Sequence, residues 1–199
     1  MGALKRLVAA SAAIFLTGMA ISGAVYFSAR PVRFQDSVLS NFLSPGDNPR
    51  GYTAAAVGTV MAGLVLAPTA LIFHRRLSAI HRWWSIAAAV FYGLGVLAAI
   101  LIGLLAPVPG LDFSVHLMLA YAAFMSLQAG ISVYLTIAAY GAKSRRLFVF
   151  TAVEWILAVV VLALSFGFGP DWPANTAFCE WALCATIGAG LWVLTSWYS

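Results

Sequence analysis

The chain has 199 residues, of which 63% are hydrophobic and only 9% are charged. Soluble domains carry about 25% charged residues, so this composition excludes an ordinary soluble enzyme or binding domain and indicates a multi-pass membrane protein. The formal net charge of +5 comes from short basic segments between apolar runs. These segments favour contact with anionic lipid headgroups, and no nucleic-acid partner is predicted.

Six apolar runs are long enough to cross a membrane, which requires about 20 residues for a hydrocarbon layer of about 30 Å. The first run exceeds the roughly 7 to 15 apolar residues of a secretory signal, and we interpret it as a span. The sequence therefore predicts one all-α domain over residues 1–199, a six-transmembrane-helix bundle. The predicted spans are residues 7–27, 52–73, 83–106, 115–140, 147–168 and 176–197.

The basic residues predict the orientation of these spans. Eight of the eleven Lys and Arg residues precede span 1, lie between spans 2 and 3, or lie between spans 4 and 5. The positive-inside rule places such segments in the cytoplasm, so both termini are predicted to be cytoplasmic. The eight residues are Lys5, Arg6, Arg75, Arg76, Arg82, Lys143, Arg145 and Arg146.

The connection from Ser28 to Gly51 is longer than a compact bundle requires and contains apolar residues such as Phe42 and Leu43. Long connections are usually functional or disordered. The apolar content favours an ordered extracytoplasmic cap, with a short interfacial helix near residues 36–42.

A Glu-Trp pair occurs in each of the last two spans, as Glu154-Trp155 and Glu180-Trp181. Ionisable side chains at membrane depth are costly and normally face the interior of the bundle. Glu154 lies about 12 Å inside the boundary that Arg146 marks, at about 1.5 Å per residue. Gln128 reaches a similar depth, so we expect Glu154 to form a structural hydrogen bond inside the bundle, for instance with Gln128 or with a Ser or Thr hydroxyl. A proton or ligand site at Glu154 is the alternative.

Glu180 lies only about one helical turn from the outer surface. Span 4 begins at the same surface with Asp112 and His116, which are four residues apart and therefore share a helical face. If the fourth and sixth spans are neighbours, these three side chains converge beneath the first outer connection. Such a group can bind a lipid headgroup or another ligand, perform acid–base chemistry, or form a purely structural polar cluster.

Motifs for metal binding and covalent catalysis are absent from the sequence. Zinc sites usually take at least three protein ligands in recognisable spacings, and neither HxxxH, HExxH nor CxxC occurs. The serine hydrolase motif GxSxG is also missing. Cys179 and Cys184 lie about 140° apart around one helix and are predicted to be free thiols. We therefore predict no metal and no cofactor, and catalytic residues are unassigned.

Two segments resemble the damage-regulated autophagy modulator (DRAM) family, with its FRAG and SFK relatives. DWPANTAFCEWALCATIGAGLWVLTSWYS resembles the family's last helix, and VHLMLAYAAFMSLQAGISVYLTIAAY is similar to its fourth. The positions that match are His116, Glu180 and Trp181. Ser40 precedes Asn41 where the family has Ser-Asp, so no role is carried over to that position. Bacterial and archaeal six-span proteins share much of this pattern.

The resemblance implies a six-span protein tied to lipid handling, such as remodelling of glycosylphosphatidylinositol anchors, lipid asymmetry or endolysosomal autophagy. It implies no uniform catalytic mechanism. Together with the depth argument, it predicts a non-catalytic protein that binds or handles lipids through a polar pocket on the outer-leaflet side. The predicted ligand-binding residues are His116, Glu180, Trp181 and Asp112.

Three other functions are compatible with the sequence. One is a membrane-embedded lipid hydrolase or transferase that uses Asp112, His116 and Glu180. The second is an accessory subunit of a larger membrane complex, and the third is a small transporter. Membrane lipids are the expected partners, and a homo-oligomer or a partner within a membrane complex is left open.

Overall fold

The computed structural model describes residues 2–33, 38–108, 113–167 and 173–198. Within these ranges it contains helices and no β-strand, and six of the helices are long and apolar enough to cross a membrane. This confirms the predicted all-α class and the six-helix bundle. The helices are α1 (Ala3–Ser28), α2 (Leu39–Leu43), α3 (Tyr52–Leu77), α4 (Arg82–Leu105), α5 (Phe113–Ala142), α6 (Arg145–Gly167) and α7 (Pro173–Trp197).

Several long helices extend beyond the apolar runs from which they were predicted. The predicted second span ends at residue 73, whereas α3 continues through Arg75 and Arg76 to Leu77. Basic side chains are stabilising in a last helical turn because they face the negative end of the helix dipole. Their long stems also let the charge reach water while the backbone stays helical. A span predicted from apolar residues alone therefore ends several residues before the helix does.

Neighbouring helices mostly follow the order of the chain, and α7 closes the bundle. Helix α3 packs between α1 and α4, and α4 packs on α5. Helix α5 contacts both α6 and α7, and α7 also contacts α1. The fourth and sixth spans, α5 and α7, are therefore neighbours, which is the condition for their polar residues to meet.

Glycines allow the closest approaches between helices. A Cβ atom built on Gly18 of α1 would lie 2.7 Å from the carbonyl oxygen of Ala54 in α3. A Cβ atom on Gly130 of α5 would lie 2.6 Å from the backbone nitrogen of Tyr92 in α4. Small residues at such contacts let transmembrane backbones pack closely, so both helix pairs depend on the missing side chain.

The short helix α2 forms the ordered part of the predicted cap. It begins at Leu39 and ends at Leu43, slightly later than residues 36–42; Asp36, like all of residues 34–37, lies outside the described residues. Phe42 is buried against the rings of Tyr26 and Phe27, and its carbonyl oxygen accepts a 2.8 Å hydrogen bond from the Ser22 hydroxyl. These contacts fix α2 against the end of α1.

We expect Gly130→Ala to lower the melting temperature of the purified protein, because the added methyl group has no space against the backbone of α4. Gly93→Ala is the matched control, since a Cβ atom there meets no atom within 4 Å. Alanine is favoured over glycine in a helix by about 1 kcal/mol, so the control should be at least as stable as the wild type. Equal stability of the two variants would contradict the close contact at Gly130.

Candidate functional site

A cavity of about 510 Å³ lies among α1, α3, α4, α5 and α7, with α2 across one end. This volume is within the roughly 300 to 1,000 Å³ of small-molecule sites. Most of the described wall is aliphatic or aromatic. The hydroxyl groups of Ser11 and Thr59 line the wall but donate to the carbonyl oxygens of Ala62 and Ala55. The hydroxyl groups in the long middle part of the cavity thus already have acceptors within the protein, and the rest of the wall there is apolar.

Three predicted ligand-binding residues line the end of this cavity that lies beneath α2. His116 comes from the start of α5, and Glu180 and Trp181 come from the first half of α7. Trp181 also packs against the cluster of buried side chains that includes Phe42. The fourth predicted residue, Asp112, lies outside the described residues. The structure thus brings His116, Glu180 and Trp181 to one cavity end.

Glu180 holds α2 in place across this end. One carboxylate oxygen accepts a 2.6 Å hydrogen bond from the backbone N–H of Leu39, and the backbone N–H of Ser40 also donates to this side chain. The first N–H groups of any helix lack partners within the helix, and the capping residue Val38 offers no side-chain acceptor. A carboxylate from α7 therefore supplies the cap that the local sequence lacks.

The cavity is elongated along the bundle. Its lining extends from Glu180 to Trp192 on α7 and from Val8 to Met19 on α1. At about 1.5 Å per residue these stretches measure about 18 and 17 Å. One leaflet of a bilayer contributes about 15 Å of hydrocarbon, half of the full layer. The cavity is therefore about as long as the acyl region of one leaflet.

A slot between α1 and α7 connects the cavity with the surface of the bundle. Leu16 of α1 and Trp192 of α7 line the cavity and are nevertheless 53% and 46% exposed. Gly188 also lines it, and a Cβ atom there would meet no atom within 4 Å. At the far end of the slot, Lys5 Nζ lies 4.1 Å from the Trp192 ring centroid. Both helices are long and apolar enough to span a membrane.

A second polar cluster lies deeper in the bundle, outside the described cavity wall. Glu154 and Gln128 are 3% and 4% exposed. The Glu154 carboxylate accepts hydrogen bonds from the Gln128 amide and from the Ser132 hydroxyl. Thr186 donates a 3.0 Å hydrogen bond to the Gln128 carbonyl oxygen. The cluster therefore joins α5, α6 and α7 through side chains.

The two Glu-Trp pairs thus occupy different environments. Trp155 is 40% exposed on the outside of α6, where its indole N–H donates to the Thr136 hydroxyl, whereas Glu154 points into the bundle. In the second pair, both Glu180 and Trp181 line the cavity. The shared dipeptide therefore has no shared role.

Comparisons of the chain with protein-family models, with curated proteins and with solved structures found no match. Among the described residues, no group of three or more His, Cys, Asp or Glu side chains is placed to hold a metal ion.

We expect Glu154→Leu to destabilise the protein, because it leaves the buried Gln128 amide and Ser132 hydroxyl without their acceptor. An unsatisfied buried polar group costs about 1 to 3 kcal/mol. Glu154→Gln keeps an acceptor oxygen and should melt closer to the wild type. Thermal unfolding in one detergent compares the two, and equal melting temperatures would show that the hydrogen bonds contribute nothing to stability.

Removing the Glu180 carboxylate should loosen α2. In Glu180→Ala, the backbone N–H groups of Leu39 and Ser40 lose their acceptor, so we expect their hydrogen exchange to accelerate by about tenfold or more. Hydrogen–deuterium exchange with mass spectrometry on peptides covering residues 38–43 measures this change. Glu154→Ala is the control, since that carboxylate does not contact α2. Unchanged exchange in Glu180→Ala would refute the anchoring role.

Proposed function

We propose that this multi-pass membrane protein binds or handles lipids without covalent chemistry, using the cavity between α1 and α7. The observation that carries the proposal is the combination of a leaflet-long apolar cavity with a polar end and a slot facing the bilayer. An acyl chain would lie along the apolar wall, and its headgroup would lie near His116 and Glu180.

The slot gives such a lipid a lateral route. An acyl chain that moves from the bilayer into an apolar cavity exchanges one hydrocarbon environment for another, so hydrophobic transfer contributes little to its binding, as it does for helix association in membranes. Close packing and headgroup contacts must then supply the affinity. The polar end of the cavity is the part that offers headgroup contacts.

Each residue at this end has a separate role in binding. Trp181 forms part of the cavity wall beside the cap, and Glu180 both anchors α2 and accepts hydrogen bonds from a ligand. His116 adds an imidazole that can donate or accept. The lipid hydrolase or transferase and the accessory subunit remain predictions, and no feature of the described residues favours either.

The orientation is part of the proposal. The basic residues at the ends of α3, α4, α5 and α6, together with Lys5 and Arg6, gather at one end of the bundle. By the positive-inside rule this end would be cytoplasmic, which places both termini in the cytoplasm and the His116–Glu180 end in the outer leaflet. We also propose the DRAM-like relationship, since the lipid handling it implies agrees with the cavity.

Filling the cavity mouth tests the function. Gly188→Phe places a ring where open space exists, so it should reduce cross-linking of a diazirine-bearing palmitoyl lipid several-fold in nanodiscs. The matched control is Gly93→Phe, which adds the same ring at another open helical position outside the described cavity wall. Cross-linked peptides, identified by mass spectrometry, should come from the cavity-lining faces of α1 and α7.

Two results would contradict the proposal. One is cross-linking in the wild type only to outward-facing residues, such as Val153 of α6, which is exposed. The other is an equal loss of cross-linking in Gly188→Phe and Gly93→Phe, which would show that the cavity mouth has no special part.

A further inference from the structure

We infer that the head of the bound lipid is a hydrogen-bond donor next to the acyl chain, best a primary ammonium group, and that anionic heads are disfavoured. This inference rests on the proposed function and specifies the ligand class of the same cavity. It follows from the charge lining the cavity, from the hydrogen bonds of Glu180, and from the weak selectivity of the apolar wall.

The charge of the cavity wall is one-sided. Among its described residues, Glu180 is the only Asp, Glu, Lys or Arg. Arg30, on the cap side of α1, donates to the Tyr26 hydroxyl and to the Asp47 carbonyl oxygen. Lys5 lies over Trp192, about 18 Å along α7 from Glu180 at about 1.5 Å per residue. Among the described residues of the cavity wall, neither Lys nor Arg therefore lines the polar end to balance a phosphate or carboxylate, and His116 is the one basic side chain there.

An anionic head at this end would meet the Glu180 carboxylate in a medium of low dielectric constant, where like charges repel far more strongly than in water. An ammonium group at the same place would form a charge-assisted hydrogen bond. The difference in binding between an anionic and an ammonium head therefore comes from the Glu180 side chain.

The Glu180 carboxylate can accept more hydrogen bonds than it receives from α2. A carboxylate offers about four lone-pair positions, and the backbone N–H groups of Leu39 and Ser40 use two of them. Both of these donors belong to α2. A ligand donor can therefore bind to Glu180 on the cavity side while α2 remains attached.

The apolar wall does not discriminate among heads. The hydroxyl groups of Ser11 and Thr59 donate to backbone carbonyl oxygens of α3, so lipids with identical chains make the same contacts along the cavity. Specificity is a difference between affinities, and here it must come from the end at Glu180.

A matched series of single-chain amphiphiles tests this inference. Hexadecylamine, hexadecanol, hexadecyltrimethylammonium and palmitate share one chain and differ in charge and donor capacity. Each competes, at low mole fraction in phosphatidylcholine nanodiscs, with the diazirine-bearing palmitoyl lipid, and partitioning into protein-free nanodiscs corrects for differences in membrane uptake.

We expect hexadecylamine to compete at about a tenfold lower mole fraction than palmitate, as one hydrogen bond to a charged group implies. Hexadecanol should be intermediate. Hexadecyltrimethylammonium carries the charge without a donor and should compete less well than hexadecylamine.

Variants assign the preference to Glu180. In Glu180→Gln the advantage of hexadecylamine over palmitate should fall towards one, whereas Glu154→Gln, whose side chain lies outside the described cavity wall, should keep the wild-type order. Cys184→Lys places a cation on the cavity wall one turn from Glu180, and should shift the order towards palmitate. This second variant keeps the test decisive if Glu180→Gln fails to fold.

The outcomes separate the two claims. If none of the four amphiphiles competes and the probe does not label the cavity wall, the proposed function itself fails. If the probe labels the cavity but palmitate competes as well as hexadecylamine, the proposed function stands and this inference is overturned. Equal competition by hexadecylamine and hexadecyltrimethylammonium would overturn the requirement for a donor.

Discussion

Polar groups buried in a membrane protein must find their partners inside the protein, because hydrocarbon offers none. This constraint explains both carboxylates at depth. Glu154 satisfies it with side chains of the neighbouring helix α5, and so becomes part of the framework that joins α5, α6 and α7. Glu180 satisfies it with the backbone of a cap segment far away in the sequence. The same constraint therefore has two different results. Glu154 connects spanning helices to one another, whereas Glu180 holds the short helix α2 across the end of the cavity.

The cavity is a local exception to close packing. Helix pairs α1–α3 and α4–α5 meet at glycines where even a methyl group has no space, whereas α1 and α7, although in contact, both line the cavity. Helix α7 shows both conditions within one turn. A Cβ atom on Gly190 would lie 2.5 Å from an Ile131 methyl group in α5, but one on Gly188 would meet nothing within 4 Å. Helix α7 is thus held firmly on one face and borders open space on another, as a wall with a lateral slot requires.

Much of the fold could be predicted from the sequence, because apolar length alone identifies a transmembrane helix. Depth along the helices was also enough to suggest a buried partner for Glu154, with Gln128 or a hydroxyl side chain as candidates, and the structure has both Gln128 and Ser132. The cavity could not be predicted in this way, since Leu16 or Gly188 looks the same in sequence whether it faces lipid, a neighbour or a gap. The contact between Glu180 and Leu39 was also missed, because it uses a backbone donor 141 residues away and leaves no side-chain pattern. Asp112 lies outside the described residues, so its place in the group stays a prediction.

One carboxylate serves two neighbours in this architecture, the cap on one side and the cavity on the other. Any molecule that draws on the oxygen atoms of Glu180 from within changes how strongly they hold Leu39 and Ser40. Thermodynamic linkage makes such an effect reciprocal, so if the cavity binds a ligand through Glu180, a change in the hold on the cap would alter the affinity for that ligand by the same factor. Any binding at Glu180 would therefore be accompanied by a change in how firmly α2 is held.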